Sequence, residues 1–236
     1  MLFRSVNHGM NFIRLFRRGA AVPLLCMAVA QAVGQAVGQL PTARMTAIFP
    51  MGCQIGAEAE VQVHGADLDG ATGLRFSNPG ISAEVINAGE RKFKVRVAGE
   101  VPAGVYEARF AGALGLTNPR PFVVSSLAEV RSPTGNTTRE TAAALGGNSV
   151  INGTAVSRQS VWFKVAARKG QRLLLRISAA ALDSRLNPVV LLRDSAGERL
   201  ARGNDAGLID YTAAADGDCF IQIHDATYGG DRKSVV

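Results

Sequence analysis

From Arg44 onward the apolar residues come in brief runs separated by glycine, proline, asparagine and aspartate. "MTAIF", "AEVQVHG", "TGLRFS", "ISAEVI", "KFKVRVA", "GVYEARF" and "PFVVSS" are the runs of the first part. Glu60, Gln62 and His64 interleave with Val61 and Val63. Lys92, Lys94 and Arg96 interleave with Phe93, Val95 and Val97. Alternation with period two puts one set of side chains on each face of a pleated strand. Helical periodicity is absent from this part. Short strands punctuated by turn residues predict an antiparallel β-sandwich over residues 44–125.

The stretch "GADLDGATGLRFSNPGI", residues 65–81, invites reading as a ligand loop because of Asp67 and Asp69. The simpler reading is a connection followed by the strand "LRF" and a turn "SNPG". Asparagine starts the turn, Pro79 fixes φ and Gly80 accepts a positive φ. Thr117-Asn118-Pro119-Arg120 repeats the device before another strand.

Residues 126–148, "SLAEVRSPTGNTTRETAAALGGN", are polar and turn-rich, which predicts a linker. A second run of strands follows over 149–236. "SVINGTA", "SVWFKVAARKGQRLLLRISAA", "NPVVLLRDSAGERLARG" and "LIDYTAAADGDCFIQIHDATYGG" carry it, with "DSAGER" as a hairpin. The fold class expected is all-β, two consecutive antiparallel β-sandwiches after an N-terminal signal helix.

That helix is read from "MNFIRLFRRGAAVPLLCMAVAQAVGQ". A basic stretch ends at Arg18, an apolar run extends from Ala20 to about Ala30, and Ala30-Gln31-Ala32 has the small-x-small form of a cleavage site. Residues 1–32 therefore read as a secretory signal peptide, with Met10 an alternative start. The apolar run is shorter than the ~20 residues of a membrane span, so no span is expected after cleavage. Gly19-Ala20-Ala21 does not suit twin-arginine export after Arg17-Arg18. Leu24-Leu25 does not suit lipidation at Cys26.

Composition adjusts this picture in two places. Of 236 residues, 47% are hydrophobic, enough for real cores, and the net charge is +7. The four arginines of the leader account for more than half of that charge. The other basic residues are scattered singly, so no nucleic-acid footprint is present. Beyond the leader only Cys53 and Cys219 remain. They fall in different modules and are expected as two buried thiols, although export permits a disulfide.

On these residues two resemblances stand out. "IFPMGCQIGAEAEVQVHGADLDGATGLRFSNPGI", "VPAGVYEARF" and "NPRPFVV" resemble the TIG/IPT family of immunoglobulin-like domains. The carriers are Pro50-Met51-Gly52, Val61 and Val63, Gly65 to Leu68, Gly104-Val105-Tyr106 and Phe122-Val123-Val124. "VWFKVAARKGQRLLLRISA", "NPVVLLRDSAGERLA" and "DYTAAADGDCFIQIHDATYGG" resemble the bacterial pre-peptidase C-terminal domain, which implies a jelly-roll-like sandwich of an exported protein. The tandem order is similar to that in large planctomycete-type exported proteins. Two departures weaken any calcium role the family implies: Ser132-Pro133-Thr134-Gly135-Asn136 replaces an acidic "E-P-N", and Ser157-Arg158-Gln159-Ser160 replaces an acidic pair. After Tyr228-Gly229-Gly230 the family's final strand gives way to "DRKSVV". A truncated second sandwich with an open edge is the expectation.

Catalytic chemistry finds little support. His8 lies in the leader, and His64 and His224 lie on strands. No serine sits in a G-x-S-x-G context. His224 and Asp225 are adjacent on a strand and face opposite ways. Asp205 and Asp210 are weak candidates for paired acid and base. No Cys/His cluster offers zinc ligands, and no P-loop, G-x-G-x-x-G or E-F hand loop occurs. Calcium is the more plausible ion, with Asn204, Asp205, Asp210 and Asp225 as oxygen ligands at one end of the second sandwich; no other cofactor is expected. Trp162, Tyr106, Tyr211 and Tyr228 are too dispersed for a carbohydrate platform. The function expected is an exported, non-catalytic interaction or spacer module for cell-surface polymers or neighbouring domains. The alternatives are an accessory segment of a secreted hydrolase and a carbohydrate-binding module.

Overall fold

The computed structural model describes residues 41–155, 158–204, 207–227 and 232–235, the last group as backbone only. The leader and its signal helix lie outside them. Strands β1 (Arg44–Phe49), β2 (Gly52–Gln54), β3 (Glu58–Ala66), β4 (Gly73–Phe76), β5 (Ile81–Asn87), β6 (Lys92–Val97), β7 (Gly104–Gly112), β8 (Gly115–Leu116) and β9 (Arg120–Ser125) form two sheets. One runs β1-β3-β6-β5. The other runs β2-β9-β7-β4, with β8 beside β7. This is the strand distribution of an immunoglobulin-type sandwich. The pairing of β2 with β9 is parallel; the others in this sandwich are antiparallel.

The alternation read from sequence becomes burial. Val61, Val63, Phe93, Val95, Val97, Phe110 and Phe122 are at most 1% exposed, while Lys94 and Arg96 lie outside. Phe93 meets Phe110 edge-on, with ring centroids 6.1 Å apart at 82°, a favoured aromatic geometry. Tyr106, near the start of β7, donates its hydroxyl to the carbonyl of Pro102 at 2.8 Å. That is the tyrosine corner of immunoglobulin-like sandwiches.

Residues 65–81 turn the chain. Asp67 and Gly70 take positive φ (54° and 62°), and Leu68 drops into the core at 4% exposure. The carbonyl of Asp69 accepts from Ala113 N at 2.8 Å, which pins the loop to the β7–β8 hairpin. Gly65 is required by proximity: a Cβ there falls 2.0 Å from the Arg44 carbonyl oxygen. At "SNPG", Asn78 Oδ1 accepts from Gly80 N at 2.8 Å, closing the turn as expected. Gly80 itself is outside the left-handed region. Its role is space, since a Cβ would lie 2.5 Å from Val101 Cγ2.

The second sandwich contains β10 (Ala128–Arg131), β11 (Ala143–Ala144), β12 (Ser149–Ala155), β13 (Val161–Ala167), β14 (Arg172–Arg176), β15 (Pro188–Arg193), β16 (Arg199–Arg202), β17 (Leu208–Thr212), β18 (Gly217–Asp225) and β19 (Arg232–Val235). The main sheet is β11-β13-β18-β15-β16. Two smaller sheets, β10-β12-β19 and β14-β17, share its core. Phe163, Val190, Leu192, Ile209, Ile221 and Ile223 fill that core.

One expectation changes here. Residues 126–148 do not behave as a linker, because β10 pairs parallel with β12 and β11 pairs parallel with β13. Polar composition concealed strands that use their backbone edge more than an apolar face. Within the same segment Asn136 is 6% exposed. Its Nδ2 donates to the Trp162 carbonyl at 2.9 Å and its own carbonyl accepts from Trp162 N at 2.8 Å. On the other side of β12 from β10, β19 pairs with it antiparallel. Backbone pairing needs no particular side chains, so Arg232–Val235 can supply it.

Candidate functional site

The place where side chains from distant parts of the chain converge is the seam between the sandwiches. Strand β9 ends at Ser125 and β10 begins at Ala128, so the connection has little slack. Ser125 Oγ accepts from Leu127 N at 2.9 Å and stiffens it further. On one side of the seam Met51 N donates to Asn152 Oδ1 at 3.0 Å, and Asn152 Nδ2 donates to Glu129 Oε2 at 2.8 Å. Asn152 is 1% exposed. A small apolar cluster of Met51, Leu182, Val123 and Val150 adjoins it. The guanidinium of Arg131 lies 4.9 Å over the Phe49 ring, within cation–π range.

Glu129 Oε1 is buried without a hydrogen-bond partner among the described residues. Burial pushes this carboxyl above its ordinary range, and the Asn152 bond only partly offsets that. Cys53 lies by the same seam, and its thiol is pushed up to about 11, first by burial and then by Glu129.

On the other side Arg120 of β9 reaches the segment after a short 3-10 turn, Ala180–Leu182. Its Nη2 donates to the Asp183 carbonyl at 2.8 Å, and Nη1 lies 3.3 Å from the Asp183 carboxylate. The Arg120 side chain is 18% exposed and that of Asp183 57%, so the arginine is largely sheltered while its acid partner faces solvent. Asp183 takes a positive φ of 55°, and that turn presents both its carbonyl and its carboxylate to one guanidinium.

The Arg120–Asp183 pair forms a bar between two depressions. The first, about 500 Å³, is bordered by Arg44, His64, Asn118, Arg185 and the bar itself. Its one acid is Asp183, against three arginines. The second, about 420 Å³, is bordered by Val105, Tyr106, Pro119, Pro121 and Ala181, with Ser77 and Glu107. Sequence reading missed this site. Arg44, Arg120 and Arg185 look like isolated surface charges, and only the docking of the sandwiches gathers them.

The described residues expected for calcium each have a hydrogen-bond partner of their own. Asn204 is exposed and closes the β16–β17 turn, its Oδ1 accepting from Leu208 N at 3.0 Å. Asp205 lies outside the described residues. Asp210 is held by Arg172 through Nε at 2.7 Å and Nη2 at 2.5 Å, and that pairing draws its carboxyl below the ordinary range. Asp225 is 2% exposed and accepts from Thr227 N at 2.8 Å and Thr227 Oγ1 at 2.6 Å. Among the described residues no group of three or more His, Cys, Asp or Glu side chains is placed to hold a metal ion. His224 is drawn below its ordinary range by burial and by Arg202 and Arg193, against the pull of Asp225. Cys53 and Cys219 are buried free thiols in different sandwiches. No described helix is long and apolar enough to cross a membrane.

No family model and no curated protein matches the chain. Solved structures show distant likeness. SGBP-B of the Bacteroides ovatus mixed-linkage glucan utilization locus, in complex with a mixed-linkage heptasaccharide, is 11% identical. The match covers 85% of this chain and 77% of that one, with a TM-score of 0.29. Domains 5–6 of the S-layer protein SbsC are 14% identical over 81% of this chain and 86% of theirs, at 0.28. The Yersinia pseudotuberculosis adhesin InvE is 10% identical over 82% and 57%, at 0.23. Superpositions this loose do not fix a fold family, and the functional reading stands on the seam.

Proposed function

We propose that the chain is an exported, non-catalytic β-sandwich protein that acts as an interaction and spacer module outside the cell or at its surface. The observation that carries this is the locked seam: two sandwiches joined through residues 126–127, bonded by Met51–Asn152–Glu129 on one side and Arg120–Asp183 on the other. A connection this short, with buried contacts across it, holds two binding surfaces at a fixed separation. Domains free to move are normally joined by flexible linkers across polar interfaces. The signal-peptide pattern of residues 1–32 supports export. The immunoglobulin-type strand order and the Tyr106 corner support the TIG/IPT-like reading of residues 44–125. The second sandwich is read as the pre-peptidase C-terminal type. Its partners are surface polymers or adjoining protein domains.

Small-angle scattering combined with a retention assay tests this. The two sandwiches are expected to scatter as one rigid body. A Gly-Ser insertion between Ser126 and Leu127 is expected to broaden its distance distribution. Retention on isolated envelope polysaccharide, without its cleavage, is the second expectation. Turnover of polysaccharide or peptide by the purified chain overturns the reading. So does scattering from wild type that already matches independently moving domains.

A further inference from the structure

We infer that the seam binds an acidic oligosaccharide, laid across the Arg120–Asp183 bar with a carboxylate in the basic depression and a sugar face on the apolar one. This names a ligand class for the site and rests on the interaction-module reading above.

The basic depression supplies the first half. Arg44, Arg120, Arg185 and His64 border it, and Asp183 is its one acid. Arg44 is exposed at the start of β1, on the border of this depression. Arg120 is already oriented by Asp183, which engages only part of its fork of donors. An arginine fixed in this way loses little freedom when a carboxylate arrives, and its planar edge suits a two-oxygen anion.

The second depression supplies the rest. Val105 is 61% exposed on β7, beside Tyr106, Pro119, Pro121 and Ala181. Glu107 on that rim is drawn into an ion pair with Arg109 at 3.1 Å. An apolar strip with polar edges suits the C–H face of a pyranose, with hydroxyls reaching the rim. Both depressions are bordered by Arg120 and Asp183, so one ligand spanning the bar touches both. Each volume is within the size range of small-ligand sites.

Other ligands fit less of this. A neutral oligosaccharide leaves the cationic side unused. A nucleic acid calls for a longer basic track with stacking aromatics, and the basic residues outside the seam are dispersed.

Calorimetric titration of the full chain tests the inference. The probes are a galacturonate hexamer, a neutral glucose hexamer, a glycerol-phosphate oligomer, an oligodeoxynucleotide and an acidic peptide. The galacturonate hexamer is expected to bind, with the neutral hexamer weaker by about tenfold and added salt reducing affinity. Arg44→Ala and Val105→Asp alter exposed side chains, and thermal melting confirms that both variants fold. Each is expected to weaken galacturonate binding by about fivefold. Equal binding of acidic and neutral hexamers overturns the inference. Tighter binding of the phosphate oligomer, nucleotide or peptide does so too, as does unchanged affinity in both variants. If a neutral envelope polysaccharide is retained and the galacturonate hexamer is not, this inference falls while the interaction-module reading stands. Retention of no polymer removes both.

Discussion

Asn118 clasps Met45 with both the oxygen and the nitrogen of its side-chain amide. Its Oδ1 accepts from Met45 N at 2.9 Å and its Nδ2 donates to the Met45 carbonyl at 3.0 Å. Met45 sits where the β1–β3 register shifts by a bulge, so its backbone groups need a partner beyond the ladder. The side chain of Asn118 serves as that partner and ties β1 to the segment entering β9. Asn118→Ala is expected to destabilise the protein by about 2 kcal/mol, since two backbone groups lose their bonds. Chemical denaturation of wild type and variant measures it.

Gly65 is the second point of strict demand. The Arg44 carbonyl lies 2.0 Å from where a Cβ would be, and that oxygen is backbone, which cannot swing away. Gly65→Ala is expected to lift the start of β1 from β3 and cost about 3 kcal/mol. Hydrogen exchange at Arg44 and Met45 checks that the loss is local to this edge.

Glu129 gives stability a pH dependence of stated sign. Its carboxyl is raised in the folded state above the ordinary 4.5, so the folded chain holds the proton more tightly than the unfolded one. The contribution is favourable below 4.5 and is lost as pH rises through the folded value. Glu129→Gln is expected to be more stable than wild type at neutral pH and to show a flatter profile from pH 4 to 7. The amide can still meet the Asn152 side chain. Melting temperature against pH for the two proteins reads the difference.

Cys53 and Cys219 are expected to resist alkylation in the folded protein. Both are buried, and Cys53 is pushed up to about 11, so little of the reactive thiolate is present at pH 8. Iodoacetamide labelling followed by mass spectrometry is expected to modify neither until denaturant is added. Rapid native labelling of Cys53 would contradict the packing of β2 at the seam.

Much of the fold could be read from the pattern of residues. "SVINGTA" is β12 residue for residue, and the alternation through Val61–His64 and Phe93–Val97 places the right side chains inside. That signal exists because a sheet with one buried face must alternate. β2, β8, β10 and β11 lack it, being two to four residues long and paired through backbone at sheet margins. Asn118 was legible as a residue that precedes proline, but not as a clasp on Met45 across 73 positions. The site was least legible of all. Arg44, Arg120 and Arg185 carry no local motif, and their proximity depends on how two sandwiches meet. Asp210 and Asp225, read as loop oxygens, lie in strands β17 and β18 and accept from Arg172 and Thr227, partners that no local motif announces.

The parallel pairing of β2 with β9, Gly52 opposite Val123 and Gln54 opposite Ser125, has a mechanical consequence. Tension drawing residues before β2 one way and residues after β9 the other slides the two strands past each other along their length. The rungs between them then share the load and fail together, unlike a hairpin peeled open from one end. A sandwich closed by such a pair resists being drawn out along that line.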